Sequence, residues 1–169
     1  MADPWLTIIG LGEDGPDALS PASREALTGA EVIFGGPRHL ALVGAKDRGR
    51  PWPVPFDDTP VLARRGLPTV VVASGDPFWF GAGGSLVTHL QPGEWISHPA
   101  VSTFQLAANR LGWRLEETQC LGLHAASFAR LRPLLGKGIR AICTVRDGSA
   151  VTELAQWLEQ VEQSEPVQP

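Results

Sequence analysis

The run PTVVVASGDPFWFGAGGS, residues 68–85, decides the fold. A continuous β-branched stretch bounded by Pro and Gly reads as a strand buried on both faces, which places it at the centre of a parallel sheet. It ends in a turn where Gly75 permits an unusual φ and Pro77 fixes the next backbone angle, so the turn is rigid. Rigid backbone carbonyls and amides bounded by Phe78, Trp79 and Phe80 suit a neutral or cationic ligand with an adenine-like plane better than a polyphosphate. Asp76 offers an acceptor for a hydroxyl or amine, although an Asp before Pro commonly bonds its own backbone.

Outward from this strand, short apolar runs recur at 5–9 (WLTII), 31–34 (EVIF), 94–97 (EWIS), 118–123 (TQCLGL) and 139–145 (IRAICTV). Helical patterns alternate with them over 21–28, 37–43, 59–65, 83–89, 103–111, 127–135 and 150–160, with start signals such as Ser20 before Pro21 and Asp57 or Thr59 before their run. The alternation predicts an α/β protein with a mainly parallel sheet. The Pro-rich segment RGRPWPVPFDDTP, 48–60, reads as an irregular surface loop. A boundary near 113–117 predicts a first α/β domain over 1–114 and a second over 115–169. The second holds two strands and two helices before the polar tail EQSEPVQP, and two strands make a poor independent sheet. The expectation is an incomplete second domain.

With 43% hydrophobic and 19% charged residues, the chain is globular. A formal net charge of -4 and the lack of a basic stripe argue against nucleic acid and leave a small molecule as the ligand. No apolar run approaches a membrane span, so the expected location is cytoplasmic. Cys120 and Cys143 are far apart without CxxC spacing and read as buried, reduced core residues. The four histidines form neither HxxxH nor HExxH, so metal binding is not supported, and no GxSxG elbow or Cys/His pattern points to hydrolase chemistry.

Two further segments carry chemistry. Gly10-Leu11-Gly12-Glu13-Asp14-Gly15 follows the first strand and literally fits GxGxxG. Glu13 and Asp14 would set carboxylates beside phosphates, and Pro16, Asp17 and Pro21 postpone the helix, so a Rossmann pyrophosphate site is disfavoured. What remains is a glycine-rich turn without a ligand, or a loop lining a substrate cleft at the carboxyl end of a strand. HPAVSTFQL, 98–106, ends a strand, turns at Pro99 and offers Ser102 or Thr103 as a helix cap or, equally, free amides to a ligand carboxylate. His98 reads as structural or substrate-facing.

Taken in order and spacing, IIGLGEDGPDALSPASREALTGAEVIFGGPRHL, ASGDPFWFGAGGSL and HPAVSTFQLAANRLGW resemble the class III tetrapyrrole (corrin/porphyrin) methyltransferases over roughly residues 5–155. Gly35-Gly36-Pro37-Arg38-His39-Leu40, the Ser-Gly-Asp-Pro form of the turn and LGLHAASFARLRPLL resemble the C5-methylating branch of cobalamin synthesis. The resemblance implies a two-domain tetrapyrrole methylase fold, usually a homodimer, with S-adenosyl-L-methionine held between domains and S-adenosyl-L-homocysteine as product. It implies donor contacts at Gly75, Asp76, Pro77, Phe80, Ser102, Thr103, Leu121 and Gly122. It also implies substrate contacts at Gly10, Leu11, Gly12, Arg38 and His39, with Arg48 and Arg50 as further partners for tetrapyrrole carboxylates or as ordinary solvated charges. The methyl passes directly from sulfonium to carbon without a protein nucleophile, and no general base is identified. Members of this branch are often fused to a domain that methylates C15 and decarboxylates. The alternatives are a truncated binding module without activity, or a methyltransferase of the same fold acting on another substrate such as diphthamide.

Overall fold

The structure, a computed structural model, describes residues 4–12 and 14–164; Glu13 and the end of the polar tail lie outside the described residues. The chain separates into two compact units, Met1–Thr103 and Phe104–Pro169, so the 113–117 stretch falls inside the second.

The first unit contains strands β1 (Leu6–Leu11), β2 (Val32–Gly35), β3 (Gly49–Pro51), β4 (Thr69–Ser74) and β5 (Trp95–His98). Between them run helices α1 (Pro21–Gly29), α2 (Pro37–Leu42), α3 (Thr59–Leu62) and α4 (Ala82–Val87). The strands form one sheet in the order β3-β2-β4-β1-β5, and every pairing is parallel. β4 is central, as its composition requires. Alternate side chains on a strand point to opposite faces, and both faces here are covered. Ile9, Leu11, Ile33, Val70 and Val72 join Leu19 and Leu27 in one core cluster, while Leu6, Ile8, Phe34 and Val71 join Val61 and Leu86 in the other. Each fully buried aliphatic of this kind stabilises by about 1.5–3 kcal/mol relative to exposure, and the one fully buried polar side chain of β4, Thr69, has its hydroxyl donating to the Leu67 carbonyl at 2.8 Å. Ser20 caps α1 as expected, its Oγ accepting the Ser23 amide at 3.1 Å.

The 48–60 segment is not wholly irregular. Its start is β3, three residues paired to β2 at the edge of the sheet, where Pro51 removes no bond from an interior ladder. α3 is a single turn that stops short of the expected 59–65 helix.

The second unit contains α5 from Phe104 onward (the helix spans Thr103–Leu111), β6 (Thr118–Gly122), β7 (Arg140–Thr144) and α6 (Gly148–Ser164). β6 and β7 pair in parallel, and among the described residues no other strand joins them. The expected helix at 127–135 is a 3-10 segment, Phe128–Leu134, because Pro133 lies inside it and supplies no amide for an α-helical bond. Phe128 packs on Trp157 of α6 with ring centroids 6.3 Å apart. α6 begins earlier than its apolar periodicity suggested, since the Asp147 carboxylate accepts the Ala150 amide at 3.0 Å and the Ser149 hydroxyl at 2.6 Å. The cysteines are free but only half buried, which corrects the expectation of full burial.

Candidate functional site

Three loops meet at the carboxyl ends of β1, β4 and β5. The register sets Gly10 beside Ala73 and Leu11 beside Ser74, so the turn after β4 begins at the level where β1 ends. There the Gly75 amide donates to the Leu11 carbonyl at 3.0 Å, and the Gly75 carbonyl accepts the Ala100 amide at 3.0 Å. The middle turn is thus hydrogen-bonded to a loop on each side. Three glycines make this approach possible. A Cβ on Gly10 would overlap the Gly75 carbonyl oxygen and lie 2.5 Å from the Ala100 nitrogen. One on Gly75, at φ +56°, would lie 2.7 Å from the Ser102 Cα, and one on Gly81 would lie 2.5 Å from the Pro77 carbonyl oxygen.

Within the turn, Asp76 bonds its own backbone: its Oδ1 accepts the Phe78 amide at 2.8 Å. Pro77 is fully buried. Phe80 holds a left-handed backbone at φ +57°, a conformation costing a non-glycine residue about 1–3 kcal/mol. Phe80 is nevertheless 48% exposed and Phe78 42%. Phe80 thus combines a left-handed backbone with a half-exposed ring beside the rigid turn. Ser102 is buried against Gly75, and Thr103 is exposed. Leu11 is buried and Gly12 half buried.

A second group forms where α2 crosses the end of β4. Gly35 passes so close to β4 that a Cβ there would sit 2.5 Å from the Val72 Cγ2. This carries Pro37 and α2 over Ser74, and the His39 Nε2 comes to 2.9 Å from the Ser74 Oγ. Burial, with the Arg38 guanidinium as the second cause, pushes the His39 pKa below its ordinary value. Arg38 itself is exposed. Ser74 belongs to the quoted turn, yet nothing in its local sequence assigns it a role; its partner lies thirty-five positions away.

Other polar residues are engaged in holding the fold. His98 Nδ1 shares a 3.0 Å hydrogen bond with Ser23 Oγ, which in turn bonds Ser20 Oγ at 2.9 Å. The structure supports the structural reading of His98. Arg48 Nη1 donates to the Leu27 carbonyl at 2.9 Å and the Ala30 carbonyl at 2.8 Å, closing the C-terminal end of α1. Arg50 donates to the Asp47 and Gly49 carbonyls, each at 2.8 Å.

In the second unit, Leu121 and Gly122 end β6, and the Leu123 amide continues the ladder to the Thr144 carbonyl at 2.8 Å. A hollow of about 400 Å³ opens directly beyond them, with Leu123, His124, Phe128, Arg146 and Glu153 in its wall. A hollow of about 540 Å³ in the first unit, bordered by Phe56, Asp58, Ser85 and His89, contains none of the residues singled out above. Among the described residues no group of three His, Cys, Asp or Glu side chains is placed to hold a metal, and no helix is long and apolar enough to cross a membrane.

An open parallel sheet with interlocked glycine turns at its carboxyl edge is the kind of α/β frame whose ligand sites lie at that edge. The chain belongs to the tetrapyrrole (corrin/porphyrin) methylases, whose sequence profile it matches over residues 5–167. It is 39% identical over 162 residues to the precorrin-6Y C(5,15)-methyltransferase [decarboxylating] of Sinorhizobium sp, an alignment covering 94% of this chain and 39% of that protein. It is 33% identical over 132 residues to the cobalt-precorrin-7 C(5)-methyltransferase of Salmonella typhimurium, covering 75% of this chain and 65% of that one. The crystal structure of the cobalamin biosynthesis precorrin-6Y methylase of Archaeoglobus fulgidus superposes with a TM-score of 0.57 at 28% identity, covering 71% of this chain and 65% of that structure. The chain thus spans about two fifths of the first relative's length.

Proposed function

We propose that this chain binds S-adenosyl-L-methionine and transfers its methyl group to C5 of a precorrin in cobalamin biosynthesis. The observation that carries the reading is the interlock of Gly10, Gly75 and the Ala100–Ser102 loop, which fixes a backbone turn and exposed aromatic side chains at the carboxyl edge of the sheet. C5 is favoured because it is the position common to the names of the two relatives above, one of which also covers C15 and a decarboxylation.

The residues fit the donor. A sulfonium carrying a purine needs no phosphate cradle; it is suited by aromatic surface such as Phe78 and Phe80 and by backbone groups held in place beforehand. Gly75, Asp76 and Pro77 are assigned to the donor, with Phe80 next to its methionine portion, together with Ser102 and Thr103, and Leu121 and Gly122 to the adenosine. Because the Asp76 Oδ1 is committed to the Phe78 amide, its contribution is a stiff turn more than a free carboxylate. Gly10, Leu11, Gly12, Arg38 and His39 are assigned to the tetrapyrrole side, Arg38 as a cation for its carboxylates.

When bound, the donor supplies an already activated methyl group. The chain's own work is to hold a nucleophilic ring carbon in line with that methyl and to keep water away. No covalent intermediate with the protein is required. A homodimer, a cytoplasmic location and, within a longer protein, fusion to a C15-methylating and decarboxylating domain accompany this proposal.

The test is incubation of the chain with methyl-labelled S-adenosyl-L-methionine and cobalt-precorrin-7. Label in the tetrapyrrole together with S-adenosyl-L-homocysteine supports the proposal. Tetrapyrrole binding without donor binding would replace it with a binding module, and label in a protein acceptor with a diphthamide-type activity.

A further inference from the structure

We propose that Ser74 and His39 form the proton-accepting pair of the reaction, Ser74 facing the substrate and His39 acting through it. This rests on the reading of the chain as a C-methyltransferase. Methylation of a ring carbon that bears hydrogen breaks the carbon–sulfur bond, whose electron pair stays on sulfur, and forms a carbon–carbon bond. The methylated carbon then holds both methyl and hydrogen. Conjugation returns only when the carbon–hydrogen bond breaks, its electron pair entering the macrocycle and its proton leaving to a base.

Three groups near the carboxyl edge of the sheet are candidates. The Asp76 Oδ1 is bonded to the Phe78 amide, and His98 is bonded into the Ser23–Ser20 chain. Ser74, by contrast, is exposed at the last position of β4, next to Gly75, and its hydroxyl lies 2.9 Å from the Nε2 of half-buried His39. In the productive arrangement the Ser74 hydroxyl donates to Nε2. The carbon's proton passes to the Ser74 oxygen as that oxygen's own proton passes to Nε2, leaving a neutral serine and an imidazolium.

The environment disfavours the imidazolium form of His39. Its pKa is lowered by burial and, second, by the Arg38 guanidinium. Of the elements packed against α2, β2 and β4 have no titratable side chain, β3 has Arg50, bonded to nearby carbonyls, and the 3-10 turn Gly15–Ala18 has Asp17. With the imidazolium disfavoured, Arg38 is the cation of this corner for the tetrapyrrole carboxylates.

The experiment compares the full chain with His39→Ala and His39→Gln in three measurements. Titration with S-adenosyl-L-homocysteine should give affinities within about twofold of one another, while single-turnover methyl transfer to cobalt-precorrin-7 should fall about 100-fold in both variants. Added imidazole should restore transfer in His39→Ala. Nitrogen NMR of the free chain should find Nε2 unprotonated at neutral pH and shifted by Ser74→Ala. The proposal is overturned if His39→Gln keeps the parent rate, if donor affinity falls in step with the rate, or if Nε2 carries the proton at neutral pH. A parent chain that binds no S-adenosyl-L-homocysteine overturns the methyltransferase reading and this pair with it; a parent that binds and transfers no faster than its variants overturns the pair alone.

Discussion

The Gly75 carbonyl oxygen occupies the space where a side chain on Gly10 would begin. That oxygen also accepts the Ala100 amide at 3.0 Å, so neither residue can retreat without breaking the link between the β4 and β5 loops. Gly10→Ala is expected to destabilise the first unit by about 1–3 kcal/mol, the range for forcing atoms into a filled space. Urea unfolding followed by tryptophan fluorescence checks this. An unchanged midpoint would mean that the loops are not clamped.

His98→Ala should lower stability by about 1–2 kcal/mol, because it leaves the buried Ser23 hydroxyl without its ring partner. Affinity for S-adenosyl-L-homocysteine should stay the same. Loss of that affinity at constant stability would make His98 part of the donor site and contradict its structural role.

Arg48→Ala should cost about 1–3 kcal/mol, since the guanidinium serves the Leu27 and Ala30 carbonyls at the end of α1. If Arg48 instead met a tetrapyrrole carboxylate, the variant would lose substrate affinity and keep its thermal midpoint.

Acid should destabilise both units through identifiable carboxylates. Glu94 is held below the usual carboxylate range chiefly by the Gln91 amide and then by the Trp5 indole, and Asp147 chiefly by the Ser149 hydroxyl and then by Arg146. A carboxyl with a depressed folded pKa contributes stability that is complete above its unfolded pKa and is lost as pH falls through the folded one. Thermal midpoints should therefore drop as pH is lowered from about 5 toward about 2, and Glu94→Gln and Asp147→Asn should each flatten that slope. Equal slopes in parent and variants would contradict the assignment.

Much of the fold was legible because it obeys local rules. Val70, Val71 and Val72 alternate between two cores, and nothing but a doubly covered strand accommodates that run. Ser20 before Pro21 signals α1 by capping chemistry alone. β3 was not legible: three residues ending in Pro acquire strand geometry only from β2 beside them. The 127–135 pattern had helical periodicity, but Pro133 favoured the tighter turn. At the candidate site, the Gly75–Asp76–Pro77 turn stands out locally, whereas the Ser74–His39 hydrogen bond and the Arg48 cap join segments distant in sequence, the first of them only after β2 and β4 pair.

The central claim is that the turn at Gly75 receives the methyl donor. Calorimetric titration of the purified chain with S-adenosyl-L-homocysteine tests it most directly, beside Gly75→Arg with folding checked by circular dichroism. Binding by the parent with a Kd of about 1 μM, equivalent to about 8 kcal/mol, and none by the folded variant is the expected result. A folded parent that releases no heat, or a Gly75→Arg chain that binds as tightly as the parent, would contradict it.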